Sequence, residues 1–314
     1  FCIKRRSPTC DLRGDFKVPE PQLFHGDCLE ILADLPDKSV DLVVNDPPYG
    51  TTSLKWDEVL DFEEVWKQLA RIMKPKTHAI FFGSQPFTSK LIVSNERWFK
   101  YELIWNKNKC GSPGLAKYRP LKVHENIIVF ANGGAATYNP IMETGNPYLR
   151  ECKTEEGYGT GTNTHGYGFG NNKVMKMENS GTRYPKSILH ASRNFSAQQT
   201  VHSTQKPTNI LNWLIMTYSN PGETVLDFTM GAGSTGVAAK MTGRNFIGVE
   251  RDTEYFQVAR ERINLCEDKV ARTDAQLTTQ IHGDMRTTPN ATFEEQFKER
   301  LKARKRSNDE RKKK

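Results

Sequence analysis

The sequence predicts an α/β domain built on a doubly wound, mostly parallel seven-stranded sheet with helices on both faces. Three observations predict it. Apolar runs alternate with helix-length segments on both sides of a polar gap. Two of those runs close on an acid at the head of a motif: Asp46-Pro47-Pro48-Tyr49, and Asp227-Phe228-Thr229-Met230-Gly231. At 314 residues the chain is long enough to bury a full α/β core, as one large domain with an insertion or as two domains.

In order along the chain, apolar runs place strands near 21–26, 39–45, 78–83, 101–106, 125–131, 224–228 and 245–250. Helices fit between them at about 28–35, 61–73, 86–95, 207–218, 234–242 and 253–265. The strand over 39–45, Val40-Asp41-Leu42-Val43-Val44, stops because Pro47 and Pro48 carry no N–H and cannot join a ladder. The strand over 224–228 runs through glycines into a helix from Ser234 to Met241, with Gly243 at the C′ position. The next strand, Asn245-Phe246-Ile247-Gly248-Val249, ends in Glu250. In such sheets ligands gather at the carboxyl ends of the strands, where the strand order reverses. If the strands ending in Asp46 and Asp227 are neighbours, two motifs about 180 residues apart fall side by side.

The first corner offers specific chemistry. The Asp46 carboxylate accepts hydrogen bonds, the Pro47 and Pro48 carbonyls are free to accept, and Tyr49 presents a flat ring for stacking. Two acceptors and a stacking face suit an exocyclic amino group on a nucleobase; a strand-ending turn is the plainer reading of the same four residues. The second corner spells G-x-G-x-x-G at Gly231, Gly233 and Gly236, which lets backbone approach a ligand at a helix N-terminus. Glu250 lies about 20 residues past the first glycine, the spacing of an acid that binds ribose hydroxyls. These residues suit an adenosine-containing cofactor, and both NAD and S-adenosylmethionine qualify.

Taken together, the motifs resemble the amino-group DNA methyltransferases, which use S-adenosylmethionine to modify adenine N6 or cytosine N4. Asp46-Pro47-Pro48-Tyr49 resembles their catalytic motif and Asp227 to Gly236 their cofactor loop. The catalytic motif comes first, which is similar to the circularly permuted order called the β class. Phe24-His25-Gly26-Asp27 resembles the turn whose acid contacts the cofactor's adenine. His202-Ser203-Thr204-Gln205-Lys206-Pro207 resembles the motif upstream of the cofactor loop, where the family more often has Pro at position 203. The segments 101–107 and 124–130 match its late strands. Where the family's loop reads Asp-Pro-Phe, this chain has Asp227-Phe228-Thr229.

The resemblance implies a Rossmann-like methyltransferase fold, with Asp46, Pro47, Pro48 and Tyr49 as catalytic residues. It implies cofactor contacts from Asp27, Lys206, Asp227 and Phe228, then Gly231, Gly233, Ser234, Thr235 and Glu250. Double-stranded DNA is the implied partner, with the target base flipped into the pocket. An acid at position 46 favours adenine N6, since cytosine N4 members of the β class more often carry Ser there. Cytosine N4 is the alternative within the family. A nicotinamide-dependent oxidoreductase is the alternative outside it, but it leaves Asp46 to Tyr49 unexplained. A catalytically dead DNA-binding module and methylation of RNA are further readings. A homodimer and a partner restriction enzyme both stay open on these residues.

Composition narrows the setting. No stretch of 18 apolar residues occurs, so no membrane partner is expected. Lys4-Arg5-Arg6 is followed by Ser7-Pro8 rather than an apolar run, which does not read as a signal peptide. Six scattered cysteines without a C-x-x-C suit reduced thiols in a cytoplasmic protein of a bacterial, phage or mobile-element host. His165, His190 and His202 show no metal-ligand spacing, and no metal is expected. Residues 301–314 contribute +6 of the net charge of +8, and such an end attracts phosphate without reading sequence.

The chain divides on this reading into an N-terminal arm (1–20), a catalytic half (21–131), an insert (132–200), a cofactor-binding half (201–270) and a basic tail (271–314). The insert holds few apolar runs and a glycine-aromatic stretch over 157–170, ringed by basic residues. It suits a loop that orders on DNA. The resemblance places target recognition there.

Overall fold

The computed structural model describes residues 20–50, 58–107, 110, 113–134, 136–153, 174–191 and 206–266. The arm before Glu20, the glycine-aromatic stretch, His165, residues 202–205 and the basic tail lie outside the described residues.

The chain opens with β1 (Gln22–His25), α1 (Cys28–Asp34), β2 (Val40–Asn45), α2 (Phe62–Ile72), β3 (Met73–Gly83), α3 (Phe87–Ser94), β4 (Phe99–Asn106) and β5 (His124–Ala131). Four short strands follow: β6 (Glu143–Thr144), β7 (Tyr148–Lys153), β8 (Val174–Asn179) and β9 (Thr182–Arg183). It then runs through β10 (Ile188–His190), α4 (Thr208–Tyr218), β11 (Thr224–Asp227), α5 (Ser234–Met241), β12 (Asn245–Glu250) and α6 (Thr253–Leu265).

One eight-stranded sheet has the order β1-β12-β11-β2-β3-β5-β4-β10. It is parallel throughout except at β5, which runs antiparallel to both β3 and β4. All seven expected strands form. The eighth, β10, comes from within 132–200 and pairs with β4 through Ile188↔Ile104 and His190↔Asn106. Three residues with one buried leucine make no apolar run to read. Their pairing is set from outside, where Trp105 Nε1 donates to the Ala191 carbonyl at 2.9 Å. β3 also starts earlier than its apolar run, because Met73 pairs with Val40 before a bulge.

The strand sequences are apolar on both faces, as a sheet covered on two sides requires. Val40, Val43, Ala79, Phe81, Ile128 and Phe130 share a core with Leu32 of α1, Trp66 and Leu69 of α2, and Leu91 of α3. The alternate residues Leu42, Val44, Ile80, Phe82, Ile127 and Val129 are buried as well, and α4, α5 and α6 pack in a layer of their own. Trp66 anchors the first layer, with its ring centroid 4.8 Å from that of Phe130 and its Nε1 donating to Ser94 Oγ at 2.8 Å. Burying one such side chain stabilises by about 1.5–3 kcal/mol.

Three of the helices start where a side chain caps them. Asp27, Asp61 and Asp252 accept from the first free N–H groups of α1, α2 and α6. At the other end of α1, the Arg71 guanidinium donates to the carbonyls of Leu32, Ala33 and Leu35, satisfying a helix end that has no basic residue of its own. The α4 segment from Ile210 to Tyr218 is buried on all sides, so the residues leading into it stand on a fixed platform.

Residues 140–185 form a second compact unit. It holds two antiparallel pairs, β7 with β8 and β6 with β9. The Arg183 guanidinium lies 4.7 Å over the Tyr148 ring and donates to the Asn146 carbonyl at 2.5 Å.

Candidate active site

Two strands carry the site, and side chains tie them at both ends. β11 and β2 are hydrogen-bonded neighbours in the register Val225↔Leu42 and Leu226↔Val43. At the start of the pair, Asp41 accepts the Thr224 N–H at 2.9 Å and is ion-paired with Lys74 at 2.7 Å. At the end, Asn45 Nδ2 donates to Asp227 Oδ1 at 3.0 Å and to Thr229 Oγ1 at 2.9 Å. Thr229 Oγ1 in turn donates to the Asp46 carbonyl at 3.2 Å. The motifs ending in Asp46 and Asp227 therefore stand side by side at the point where the strand order reverses.

Four acids line the carboxyl ends of four adjacent parallel strands: Asp27 past β1, Glu250 closing β12, Asp227 closing β11 and Asp46 past β2. Asp27 Oδ1 accepts the Leu29 N–H at 2.8 Å, and the Gly26 N–H donates to the Glu250 carbonyl at 3.1 Å. Glu250 Oε2 accepts the Gly231 N–H at 2.9 Å and Oε1 accepts the Asp252 N–H at 2.8 Å. Burial raises the Glu250 carboxyl above its ordinary range, against the pull of those N–H groups. Asp227 is 3% exposed, and burial pushes its carboxyl up to about 7 despite hydrogen bonds from Thr235, Thr229 and Asn45.

The glycine loop has the backbone its sequence implies. Gly231 and Gly233 take φ of +51° and +74°, a region other residues enter only with strain. A Cβ at Gly231 would meet nothing within 4 Å, so this turn faces open space. Gly236 serves packing instead, since a Cβ there would come within 2.4 Å of Ile263 and 2.7 Å of Phe246. Ser234 and Thr235 open α5 and are buried. The Phe228 side chain points into the core, 6.2 Å from Phe81 between ring centroids.

At the corner past β2 both oxygens of Asp46 are engaged. Tyr49 OH donates to Oδ1 at 2.6 Å, and Lys206 Nζ donates to Oδ2 at 2.5 Å. The Tyr49 ring also stacks on Phe87, with centroids 5.0 Å apart and planes at 27°. Pro47 is buried and Pro48 half-buried. Lys206, grouped with the cofactor contacts on its motif, thus has its ammonium on the Asp46 carboxylate. It is buried, and also lies 3.3 Å from Glu125 Oε2. Glu125 Oε1 is paired with Lys107 Nζ at 3.0 Å, so charges alternate through Asp46, Lys206, Glu125 and Lys107.

Glu125, Asn45 and Thr229 are the residues that motif reading passes over. Glu125 had a signal: an acid at the head of a largely apolar strand needs a cationic partner when buried. Thr229 is, with Phe228, one of the two positions where the loop departs from Asp-Pro-Phe, and its hydroxyl joins the two motifs. A cavity of about 250 Å³ adjoins Tyr49 and Glu125, with Ser84, Lys107, Arg119, Lys122 and His124 also in its wall.

The chain is similar to known proteins. A family model described as DNA methylase, N6_N4_Mtase, matches residues 40–261. The chain is 27% identical over 273 residues to the Type II methyltransferase M.HinfI of Haemophilus influenzae, covering 77% of this chain and 67% of that one. It is 28% identical over 257 residues to the Type II methyltransferase M1.MboII of Moraxella bovis, covering 76% and 95%. Its fold is similar to the crystal structure of an M1.HpyAVI–SAM complex, with a TM-score of 0.53 at 24% identity over 78% of this chain and 100% of that one. It is similar as well to the cytosine-N4-specific PvuII DNA methyltransferase, with a TM-score of 0.56 at 15% identity over 85% and 94%. The matched span takes in both strand-end motifs and the sheet between them, and the chain belongs to the N6/N4 family of DNA methyltransferases.

Proposed function

We propose that this chain methylates the N6 amino group of adenine in double-stranded DNA, with the base flipped out and S-adenosylmethionine as the methyl donor. The observation that carries the reading is the side-by-side placement of Asp46 and the Asp227 glycine loop by the β2–β11 pairing. S-adenosylmethionine, when bound, supplies an electrophilic methyl group on a sulfonium.

The residues fit that cofactor. Gly231 turns with a positive φ and leaves its Cβ position open, which makes room for a ligand against backbone. Glu250 and Asp27 end neighbouring strands beside it, where carboxylates can accept from ribose hydroxyls and an adenine amine. Asp227 braces the loop rather than facing outward, through Asn45 and Thr229.

The chain's own task is at the amine. A nucleobase amino group is a poor nucleophile because its lone pair is delocalised into the ring. A carboxylate offers about four acceptor sites, and Tyr49 and Lys206 fill two at Asp46, leaving two for substrate N–H groups. Acceptance by Asp46 and the Pro47 carbonyl favours a more tetrahedral nitrogen and frees the lone pair. Asp46 need not be a strong base, since the proton can leave after transfer. No thiol is called on; burial pushes the nearby Cys28 up to about 11, which leaves it unreactive.

Long-read sequencing of DNA from cells expressing the protein tests base and site together. N6-methyladenine in a recurrent sequence, absent with Asp46→Ala, is the expected result. N4-methylcytosine would overturn the choice of base. Labelled-methyl transfer to RNA but not DNA would overturn the choice of substrate.

A further inference from the structure

The 17 residues from Lys107 to Val123, which join β4 to β5, contain Lys107, Lys109, Lys117, Arg119 and Lys122 and no acid. Such a density of one sign on a connecting loop creates a local positive field. Lys107, Arg119 and Lys122 stand together in the wall of the 250 Å³ cavity that adjoins Tyr49. Lys107 is matched by Glu125, but Lys122 Nζ rests on the neutral hydroxyl of Ser84 at 2.6 Å, and Arg119 is exposed. Burial, then the neighbouring Lys107 cation, holds the Lys122 ammonium below its ordinary range against the opposing pull of Glu125, and Arg119 adds to the lowering. Tyr118, between Lys117 and Arg119, is 83% exposed. Crowded cations beside an exposed aromatic suit a phosphate-bearing strand whose bases offer faces to stack on.

Position decides which phosphates. The cavity's wall includes Tyr49, which holds Asp46, and Glu125, which holds Lys206. Cations on the rim of that cavity lie beside whatever enters it. We propose that the β4–β5 loop is a phosphate clamp, in which Arg119 and Lys122 bind the phosphodiester groups flanking the base presented to Asp46. The proposal rests on the reading of the chain as a DNA methyltransferase with a flipped base. It assigns the loop to positioning the target strand, a task that carries no sequence information.

The test uses the full chain with both positions changed, Arg119→Gln and Lys122→Gln. Binding to a fluorescent random-sequence DNA duplex is followed across a salt series. Losing two phosphate contacts should flatten the slope of log affinity against log salt by about 1.8, since each contact on duplex DNA contributes about 0.9. Affinity for S-adenosylhomocysteine should be unchanged. The charge-conserving pair, Arg119→Lys with Lys122→Arg, should restore the slope, which a purely structural role would not do. Coincident slopes for wild type and the Gln variant would overturn the proposal.

A second arm places neutral methylphosphonate linkages on either side of the target base in the mapped sequence. They should weaken binding by the wild type and add little to the loss in the Gln variant. Equal weakening of both proteins would put these cations elsewhere on the backbone and sink the clamp. If the wild type methylates no DNA at all, the enzymatic reading fails, while the salt series still decides whether the loop binds phosphate.

Discussion

The ammonium of Lys206 lies 2.5 Å from the carboxylate of Asp46, across 160 positions of chain. The segment leading into α4 therefore reaches the corner past β2, where a buried lysine bridges Asp46 and Glu125. Lys206→Met strips the charge from that bridge. Breaking a buried pair by removing one partner costs about 3–5 kcal/mol. Thermal unfolding should show a loss of that order, and kcat should fall sharply while S-adenosylhomocysteine affinity stays within a few fold. A cofactor affinity that drops in step with kcat would return Lys206 to the cofactor site.

Two of the contacts that Tyr49 makes can be separated, its ring on Phe87 and its hydroxyl on Asp46. Tyr49→Phe removes only the hydrogen bond to a charged group, a loss of about 1.5–3 kcal/mol in transition-state terms. Tyr49→Ala removes the stacking face as well and should lose more. The comparison is kcat/KM across Ala, Phe and Trp variants. Equal losses in all three would assign the whole effect to the hydroxyl.

Glu250→Ala removes the acceptor that holds the Gly231 N–H, and with it the acid proposed to accept from ribose. Cofactor affinity should fall by about 1.5–3 kcal/mol, with DNA binding little altered. Calorimetry with S-adenosylhomocysteine reads this directly, and an unchanged affinity would separate Glu250 from the cofactor.

Asp227 ties stability to pH. Its folded-state carboxyl is pushed up to about 7 from an ordinary 3.8 by burial. Between those values the folded protein holds a proton that the unfolded chain has released. The contribution is complete below the ordinary value and is lost as pH rises through about 7. Asp227→Asn cannot titrate, so its stability relative to wild type should rise with pH across this window, by at most about 1.4 kcal/mol per pH unit. Urea unfolding of both proteins at a series of pH values checks the sign.

Two glycines of one loop should fail differently. Gly236→Ala drives a methyl group into Ile263 and Phe246, and overpacking of this kind costs about 1–3 kcal/mol in stability. Gly231→Ala meets no atom; it pays only the left-handed conformation, about 1–2 kcal/mol, but fills the space beside the Gly231 backbone. Thermal unfolding alongside cofactor titration should show Gly231→Ala losing more affinity than Gly236→Ala for the same loss of stability.

Local physics made much of this molecule readable from its residues. Pro47 and Pro48 end a strand because they lack N–H groups. Gly231 and Gly233 mark a turn because they tolerate positive φ. Asp61 and Asp252 start helices because their carboxylates satisfy free N–H groups within three residues. Each of those effects acts over a few residues, so the sequence by itself determined seven of the strands, the helices and the two motifs at Asp46 and Asp227, but not the short strands β6 to β10. Only the tertiary structure decided which of them touch. The β2–β11 pairing, the edge strand β10, the Thr229 hydroxyl between two loops and the Lys206 bridge all join residues more than 80 positions apart. Their energies come from burial and from charge compensation in the folded interior, where an unpaired acid such as Asp46 or Glu125 must find a partner. No local pattern around Lys206 says which acid that partner will be, because the choice is made by the packing of the sheet and of α4.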